Sequence, residues 1–297
     1  MKRWLVLSSL FLMILSITLV FGGMMHSPLP EFPSINQISQ DNWQKLAQQR
    51  ILFGHASVGG NIVTGIQELQ NQHPEITLNL VASETPWTVN RSGLIHFYLG
   101  SQPHPHQFSD SALAKIAAFS YLIESRIKNS VDIALFKLCW ADINSNTDVV
   151  SLFTSYKTTI AKLMQDFPQT TFVQVTTPLV AEPEGVSAIK QWLKRLLGKS
   201  SSHLSDNVKI NQLNDLIRSE YTGKTPIFDL ATIESMLPDG TRQTFSDGGK
   251  TFFSLVPEYT SDMGHLNQTG RRVVAEQFLV FLADVASQRS PATSSQI

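Results

Sequence analysis

One serine and one aspartate–histidine pair occupy positions in this sequence that suit nucleophilic chemistry. Ser57 lies in Gly54-His-Ala-Ser-Val-Gly-Gly, which joins an apolar run to a segment with helical spacing. A serine at the start of a helix lies beside backbone N–H groups that can stabilise a developing negative charge. The alternative interpretation is that Ser57 only caps the helix.

The pair lies near the other end of the chain, in Ser261-Asp-Met-Gly-His-Leu-Asn-Gln-Thr-Gly. In a loop, Asp262 can accept a hydrogen bond from one nitrogen of His265 and leave the other nitrogen free to take a proton from a serine. Imidazole suits this role because it exchanges protons near neutral pH. Asn267 is a candidate N-cap for the next helix. The alternative is a loop of solvated polar residues.

Apolar runs alternate with amphipathic segments, which predicts a three-layer α/β/α sandwich around a parallel sheet of about five strands. The predicted strands are Arg50–Phe53, Ile76–Ala82, Val131–Leu138, Thr171–Thr176 and Pro226–Leu230. Two predicted helices each carry one apolar face, formed by Ile210, Leu213, Ile217 and Tyr221 and by Val274, Phe278, Phe281 and Val285. Such sheets bind ligands beyond the carboxyl ends of their strands, so we expect Ser57 and His265 to meet there.

These motifs resemble those of the SGNH/GDSL hydrolases. The Asp-x-x-His sequence with a following Asn and Gly resembles the last block of that family, and His55-Ala56-Ser57 stands where the nucleophile block has Gly-Asp-Ser. The resemblance covers about residues 48–285. It implies Ser57 as nucleophile, His265 as general base and Asp262 as its orienting partner. It also implies hydrolysis of esters or removal of acetyl groups from sugars, without a metal or other cofactor.

The chain departs from the family pattern at the residues that should stabilise the oxyanion. The family's glycine donor has two candidates, Gly93 and Gly100, and we prefer Gly93 because it lies in a polar turn. The family's asparagine donor falls on Ala141, whose side chain cannot donate. Either Asn144 or Asn146 replaces it, or the Ser57 N–H and a glycine suffice. Asp142 has two interpretations, a substrate-side role or an anchor for its loop.

The histidines outside the pair allow several roles. His55 could support its loop, contact substrate or be a neutral core histidine. A zinc site that combines His55 with two of His96, His104 and His106 is an alternative. Prolines interrupt that stretch and no carboxylate pattern accompanies it, so we expect a solvated loop and no bound metal.

The amino terminus predicts export. Lys2 and Arg3 precede an apolar run at residues 4–21, so residues 1–25 are expected to be a signal peptide or an uncleaved anchor. We assign residues 26–45 to a linker, 46–287 to the domain and 288–297 to a disordered tail. The basic amphipathic stretch Val186–Lys199 is interpreted as core cover, with a membrane-binding segment or a lid as alternatives.

Composition narrows the function classes. A net charge of −1 gives no sign of a nucleic-acid binder, and the single cysteine, Cys139, allows no internal disulfide and is expected to be buried. The sequence therefore predicts an exported hydrolase acting on an ester, such as an acetylated glycan. Acyl transfer at the same site is one alternative. A silent module that binds a glycan or a protein is another, suggested by Ala141.

Overall fold

The computed structural model describes residues 32–83, 91–99, 111–127, 130–182 and 202–289. The expected signal or anchor (1–25) and the basic stretch Val186–Lys199 lie outside these residues, as does the tail beyond 289. Among the described helices, none combines the length and the apolar character needed to cross a bilayer.

Six strands form one parallel sheet with the first strand near its centre. They are β1 (Arg50–His55), β2 (Leu80–Ala82), β3 (Gly93–Tyr98), β4 (Ile133–Phe136), β5 (Thr171–Val175) and β6 (Ile227–Phe228). The order is β2-β3-β1-β4-β5-β6, and each neighbouring pair is parallel. The chain first adds strands on one side of β1 and then continues on the other, so a crevice opens at the carboxyl end of β1.

Helices cover both faces of the sheet. They are α1 (Gln40–Gln48), α2 (Ser57–Gln72), α3 (Ala112–Leu122), α4 (Val149–Asp166), α5 (Ser202–Tyr221), α6 (Leu230–Glu234) and α7 (Gln268–Ser287). Helix α7 packs against α1 and α2 on one side, while α4 packs against α3 and α5 on the other. The α/β sandwich predicted from the alternation of apolar runs is therefore confirmed.

The first predicted helix face is buried as the periodicity indicated; on the second, Val274, Phe278 and Val285 are buried and Phe281 is partly buried. Ile210, Leu213 and Ile217 are at most 1% exposed. Asn267 is the N-cap of α7, and its Oδ1 accepts from Gly270 N at 3.0 Å. Cys139 is buried, as expected.

The sheet differs from the prediction on one side of β1. Strand β3 was not predicted, because its sequence was interpreted as a polar turn leading into a histidine-rich loop. The strand predicted at Ile76–Ala82 is reduced to the three residues of β2 at the sheet edge. Apolar character in the sequence does not show which of two neighbouring apolar stretches pairs with the central strand β1.

The folded unit begins earlier than the predicted boundary at residue 46. A compact unit starts at Phe32, and residues 32–45, assigned to the linker, include most of α1. Trp43 is 3% exposed, and Ile35 N donates to Glu276 Oε1 on α7 at 3.1 Å. The prolines and polar residues that suggested a linker are interspersed with apolar side chains that pack onto α7.

A hairpin leads the chain from α6 back to the carboxyl edge of the sheet. Its strands are β7 (Thr244–Asp247) and β8 (Lys250–Phe253), paired antiparallel. Leu255 N then donates to Val180 O at 3.2 Å, and Ala181 N donates to Met263 O at 2.8 Å. These bonds hold the segment before α7 beside the end of β5.

Candidate active site

Ser57 is the first residue of α2, and only Ala56 lies between it and the end of strand β1. The N-cap is Ala56, whose backbone is extended, and among the described residues no side chain caps this helix. Ser57 therefore does not act as the cap, which removes the alternative interpretation. Gly59 N donates to Ala56 O at 2.8 Å, but the first N–H groups of a helix have no acceptor within it. The N–H groups of Ser57 and Val58 thus lie where a negative charge could be stabilised.

Asp262 and His265 form a compact hydrogen-bonded turn before α7. Asp262 Oδ1 accepts from Gly264 N at 3.1 Å and from His265 N at 2.8 Å, while Oδ2 accepts from His265 Nδ1 at 2.6 Å. Met263 adopts a φ of 78°, which closes the turn. Because a carboxylate only accepts, Nδ1 of His265 carries the proton and Nε2 presents a lone pair.

The electrostatics of Asp262 support this arrangement. Partial burial alone would raise the pKa of this carboxyl group. The hydrogen bonds from His265 N and Gly264 N, together with the imidazole, outweigh burial and lower the pKa of Asp262 to about 2. Asp262 is therefore an anion throughout the neutral range and can stabilise a positive charge that develops on His265.

The two segments lie against each other although they are far apart in sequence. Leu266, the residue after His265, donates its N–H to Asn61 Oδ1 at 3.1 Å, across 205 residues. Asn61 lies about one turn of α2 beyond Ser57. The structure thus brings the start of α2 and the Asp262–His265 turn together at the carboxyl edge of the sheet.

Trp140 was not identified from the sequence as a site residue. It follows β4, and its ring centroid lies 6.0 Å from that of His265 in an edge-to-face arrangement. A Cβ at Gly264 would lie 2.8 Å from Trp140 Nε1, so the indole packs directly on the turn. The sequence offered one signal, an aromatic residue beside Ala141 where the family pattern has polar donors.

Asp142 anchors its loop and is not a substrate-side residue. Its Oδ1 lies 2.7 Å from Lys115 Nζ, and both side chains are 3% exposed. Its Oδ2 accepts from Cys139 N at 2.7 Å. Both carboxylate oxygens are therefore engaged in holding the turn that carries Trp140, which corrects the substrate-side interpretation.

Asn144, a candidate for the expected asparagine donor, closes a local turn with its neighbours. Its Oδ1 accepts from Asn146 N at 2.9 Å, and its own N–H donates to Thr147 Oγ1 at 2.9 Å. The side chain is exposed and closes a local turn. Among the described residues, Asn144 makes no hydrogen bond with Ser57 or His265.

Gly93 lies at the wrong end of the sheet for the oxyanion role. It is the first residue of β3 and pairs with Arg50, at the opposite end of β1 from Ser57. Its φ of +134° and the approach of Asn79 O, 2.4 Å from a Cβ built there, explain why the position is a glycine. The preference for Gly93 was wrong because β3 had been interpreted as a loop. Gly100, the other candidate, lies outside the described residues.

His55 forms a hydrogen-bonded pair with His96 on the neighbouring strand. Nε2 of His55 lies 3.1 Å from Nδ1 of His96, and Nδ1 of His55 lies 2.9 Å from Ala56 O. His55 is 5% exposed, and burial is the largest cause that lowers its pKa to about 4. Burial also lowers the pKa of His96. Both imidazoles are therefore neutral at pH 7.

The alternative zinc site does not include His55 in this arrangement, because both of its ring nitrogens have hydrogen-bond partners. His104 and His106 lie outside the described residues. Within the described part of the chain, no group of three or more His, Cys, Asp or Glu side chains is placed to hold a metal ion.

No protein-family model and no curated protein matches the chain. Solved structures are similar in fold. A GDSL-like lipase from Bacteroides thetaiotaomicron is 12% identical over 84% of this chain and 99% of its own, with a TM-score of 0.45. An acetyl esterase is 12% identical over 81% and 98%, with a TM-score of 0.42. The periplasmic domain of a lipopolysaccharide acetyltransferase from Salmonella ser. Paratyphi A is 11% identical over 78% and 83%, with a TM-score of 0.40.

The similar structures include lipases, esterases and acyltransferases.

Proposed function

We propose that this protein is an exported serine hydrolase that cleaves carboxylic esters, with O-acetyl groups on glycans as its substrate class. One observation carries the proposal. The hydrogen-bonded Asp262–His265 turn is fixed by the Leu266–Asn61 bond against the helix that begins with Ser57. A histidine oriented by a carboxylate beside a serine at a helix start is the arrangement that nucleophilic acyl transfer requires.

The reaction proceeds through an acyl-enzyme. Ser57 Oγ attacks the ester carbonyl carbon while His265 Nε2 takes the hydroxyl proton. The tetrahedral intermediate collapses, the C–O bond to the alcohol breaks, and His265 returns the proton to the leaving oxygen. Water then attacks the acyl-serine with His265 again as base, which releases the acid and restores Ser57.

The helix start supplies the first oxyanion donor. The N–H of Ser57 lies at the positive end of α2, where a developing alkoxide is stabilised. Gly100 is the remaining glycine candidate for a second donor. We propose no asparagine donor, because Ala141 stands at its position.

The exposure of the pair supports a bulky substrate. The His265 side chain is 41% exposed and that of Asp262 is 55% exposed. Such an open site accepts a small acyl group attached to a larger molecule, as in an acetylated glycan. The basic start and apolar run at residues 2–21 support export.

The test uses p-nitrophenyl acetate and a serine-reactive fluorophosphonate. Ser57→Ala and His265→Ala are each expected to lower kcat by several orders of magnitude with the fold retained, and Ser57→Ala should abolish labelling. Ser246→Ala, at an exposed serine of β7, is the matched control. His73→Ala is the second control, because His73 also contacts a carboxylate, Glu75 at 3.1 Å.

Labelling that is absent from the unmodified protein, or unaffected by Ser57→Ala, would contradict the proposal and favour a silent binding module. Acetylated sugars supplied with a second sugar as acceptor separate hydrolysis from acyl transfer. Free acetate is the expected product.

A further inference from the structure

We propose that His96 and His55 are positioning residues that fix the direction of the Ser57 N–H, the first oxyanion donor. The inference rests on the proposed function and identifies what holds the donor in place. Two hydrogen bonds share His55: one joins it to His96 and the other joins it to the carbonyl of Ala56.

The chemistry of the acceptor sets the tautomer of both rings. A carbonyl oxygen only accepts, so Nδ1 of His55 carries a proton that it donates to Ala56 O. A neutral imidazole has one proton, so Nε2 of His55 holds a lone pair. It therefore accepts from Nδ1–H of His96, whose own Nε2 is then unprotonated. The observed distances of 2.9 and 3.1 Å are compatible with no other arrangement of two neutral rings.

The peptide plane carries this constraint to Ser57. The carbonyl of Ala56 and the N–H of Ser57 belong to the same peptide unit, and in a trans peptide they point in opposite directions. No described peptide bond is cis. Ala56 O accepts from His55 Nδ1, from Gly59 N at 2.8 Å and from Gly60 N at 3.4 Å. Because these three donors hold the carbonyl oxygen in place, the N–H of Ser57 is held pointing in the opposite direction.

Packing keeps His55 from turning away. The ring lies 5.0 Å from that of Phe53, and a Cβ at Gly59 would lie only 2.2 Å from His55 Cβ. His55 is thus held between the sheet and the first turn of α2. This preorganisation matters because a donor aimed at the oxyanion before reaction needs no reorganisation during it.

A purely structural role for His55 would have a different effect on catalysis from a positioning role. If His55 only fills the core, its loss lowers stability and affects substrate and transition state alike. If it positions the Ser57 N–H, its loss selectively weakens stabilisation of the tetrahedral state, because the oxyanion forms only there.

The experiment compares His55→Asn with His55→Leu in the full chain. The Asn side-chain nitrogen sits about where Nδ1 of histidine does and can donate to Ala56 O, whereas Leu cannot. For p-nitrophenyl acetate, His55→Leu is expected to lower kcat by about 10- to 100-fold, short of the loss of a whole oxyanion donor, with KM changed less than about threefold. His55→Asn should retain kcat within about fivefold. Phenylboronic acid forms a tetrahedral adduct with serine. Its inhibition constant should rise in each variant by about the same factor by which kcat/KM falls.

His96 provides a second variant pair that does not depend on how His55→Leu folds. His96 is only half-buried. His96→Asn retains a donor near Nε2 of His55 and His96→Leu does not. The expected order of kcat is wild type, then His96→Asn, then His96→Leu. Equal kcat in both members of the His55 pair and of the His96 pair would overturn the inference.

Nitrogen-15 NMR of the imidazoles tests the tautomers without any substrate. At pH 7, both His55 and His96 are expected to be neutral with the proton on Nδ1. A proton on Nε2 of His55 would overturn the inference and leave the hydrolase proposal intact. A wild-type protein that neither cleaves the ester nor reacts with fluorophosphonate would overturn both.

Discussion

At the scale of single residues, the site depends on acceptors that fix the protons of their neighbours. Asp262 accepts a hydrogen bond from His265 Nδ1, as well as from Gly264 N and His265 N, and so holds the His265 ring with Nε2 unprotonated. Ala56 O does the same for His55. In both cases the tautomer follows from a group that cannot donate, which makes it testable by substitution and by pH.

Asp262→Asn tests the first case. An asparagine can turn its amide N–H toward His265 Nδ1 and so favour the tautomer that cannot accept the Ser57 proton. We expect kcat to fall by roughly 10³- to 10⁴-fold. The free energy of unfolding should change by about 1 kcal/mol or less, because the side chain is mostly exposed.

Ester hydrolysis measures kcat, and urea unfolding measures the free energy of unfolding. Glu75→Gln, in the pair His73–Glu75 outside the site, should leave kcat unchanged. Activity preserved in Asp262→Asn would mean that the carboxylate does not orient His265.

The low pKa of His55 predicts how stability depends on pH. Burial lowers this pKa from 6.5 to about 4, so between these values the unfolded chain binds a proton that the folded chain does not. Neutral His55 therefore contributes to the free energy of unfolding above pH 6.5. This contribution, on the order of 3 kcal/mol, is lost as the pH falls toward 4.

His55→Asn removes the titrating group and retains a donor. Unfolding by urea at pH 7 and at pH 4 should show a larger loss of stability in the wild type than in His55→Asn. Equal losses in the two proteins would contradict this assignment.

At the scale of elements, the contact between α2 and α7 sets the separation of the serine and histidine segments. Gly65 allows the close approach, since a Cβ there would lie 2.4 Å from Arg271 O. One turn closer to Ser57, Asn61 bonds to Leu266. The same helix contacts His55 through Gly59. Helix α2 therefore carries Ser57 and contacts both His55 and the segment that holds His265.

The glycines at the start of α2 give a matched pair of substitutions. Gly59→Ala places a methyl group against His55 and should destabilise the fold by about 1–3 kcal/mol through overpacking. At Gly60, a Cβ meets nothing within 4 Å, so Gly60→Ala should be neutral or stabilising by up to about 1 kcal/mol, because alanine favours a helix over glycine. Thermal unfolding measures both, and an equal effect at the two positions would contradict the packing described for His55.

At the scale of the whole molecule, the segment before β1 is part of the folded unit. Gln277 Nε2 on α7 donates to Pro33 O at 3.0 Å, and Trp43 and Leu46 are buried in the core. Since α7 directly follows the Asp262–His265 turn, this segment supports the helix that carries the turn.

Two shortened chains test this support. A chain that starts at Phe32 should unfold at about the temperature of the full-length protein. A chain that starts at Gln49 loses Trp43 and Leu46 and should be less stable by several kcal/mol, since removing one large buried side chain costs about 2–5 kcal/mol. Calorimetry compares them, and equal unfolding temperatures would show that α1 does not stabilise the domain.

The sequence by itself determined the local features of this protein. The turn from β1 into α2, the Asp262-x-x-His265 spacing, the Asn267 cap and the apolar faces of α5 and α7 all follow from residue types and periodicity. These features depend on interactions within a few residues, which a single sequence displays directly.

The tertiary structure alone decided which distant residues became neighbours. Strand β3, and not the stretch at Ile76–Ala82, pairs with β1, which moved Gly93 away from the site and brought His96 to His55. Asp142 turned inward to Lys115 and Trp140 came to rest on Gly264. Strand pairing and buried ion pairs join residues far apart in sequence, and no local pattern encodes that choice of partner.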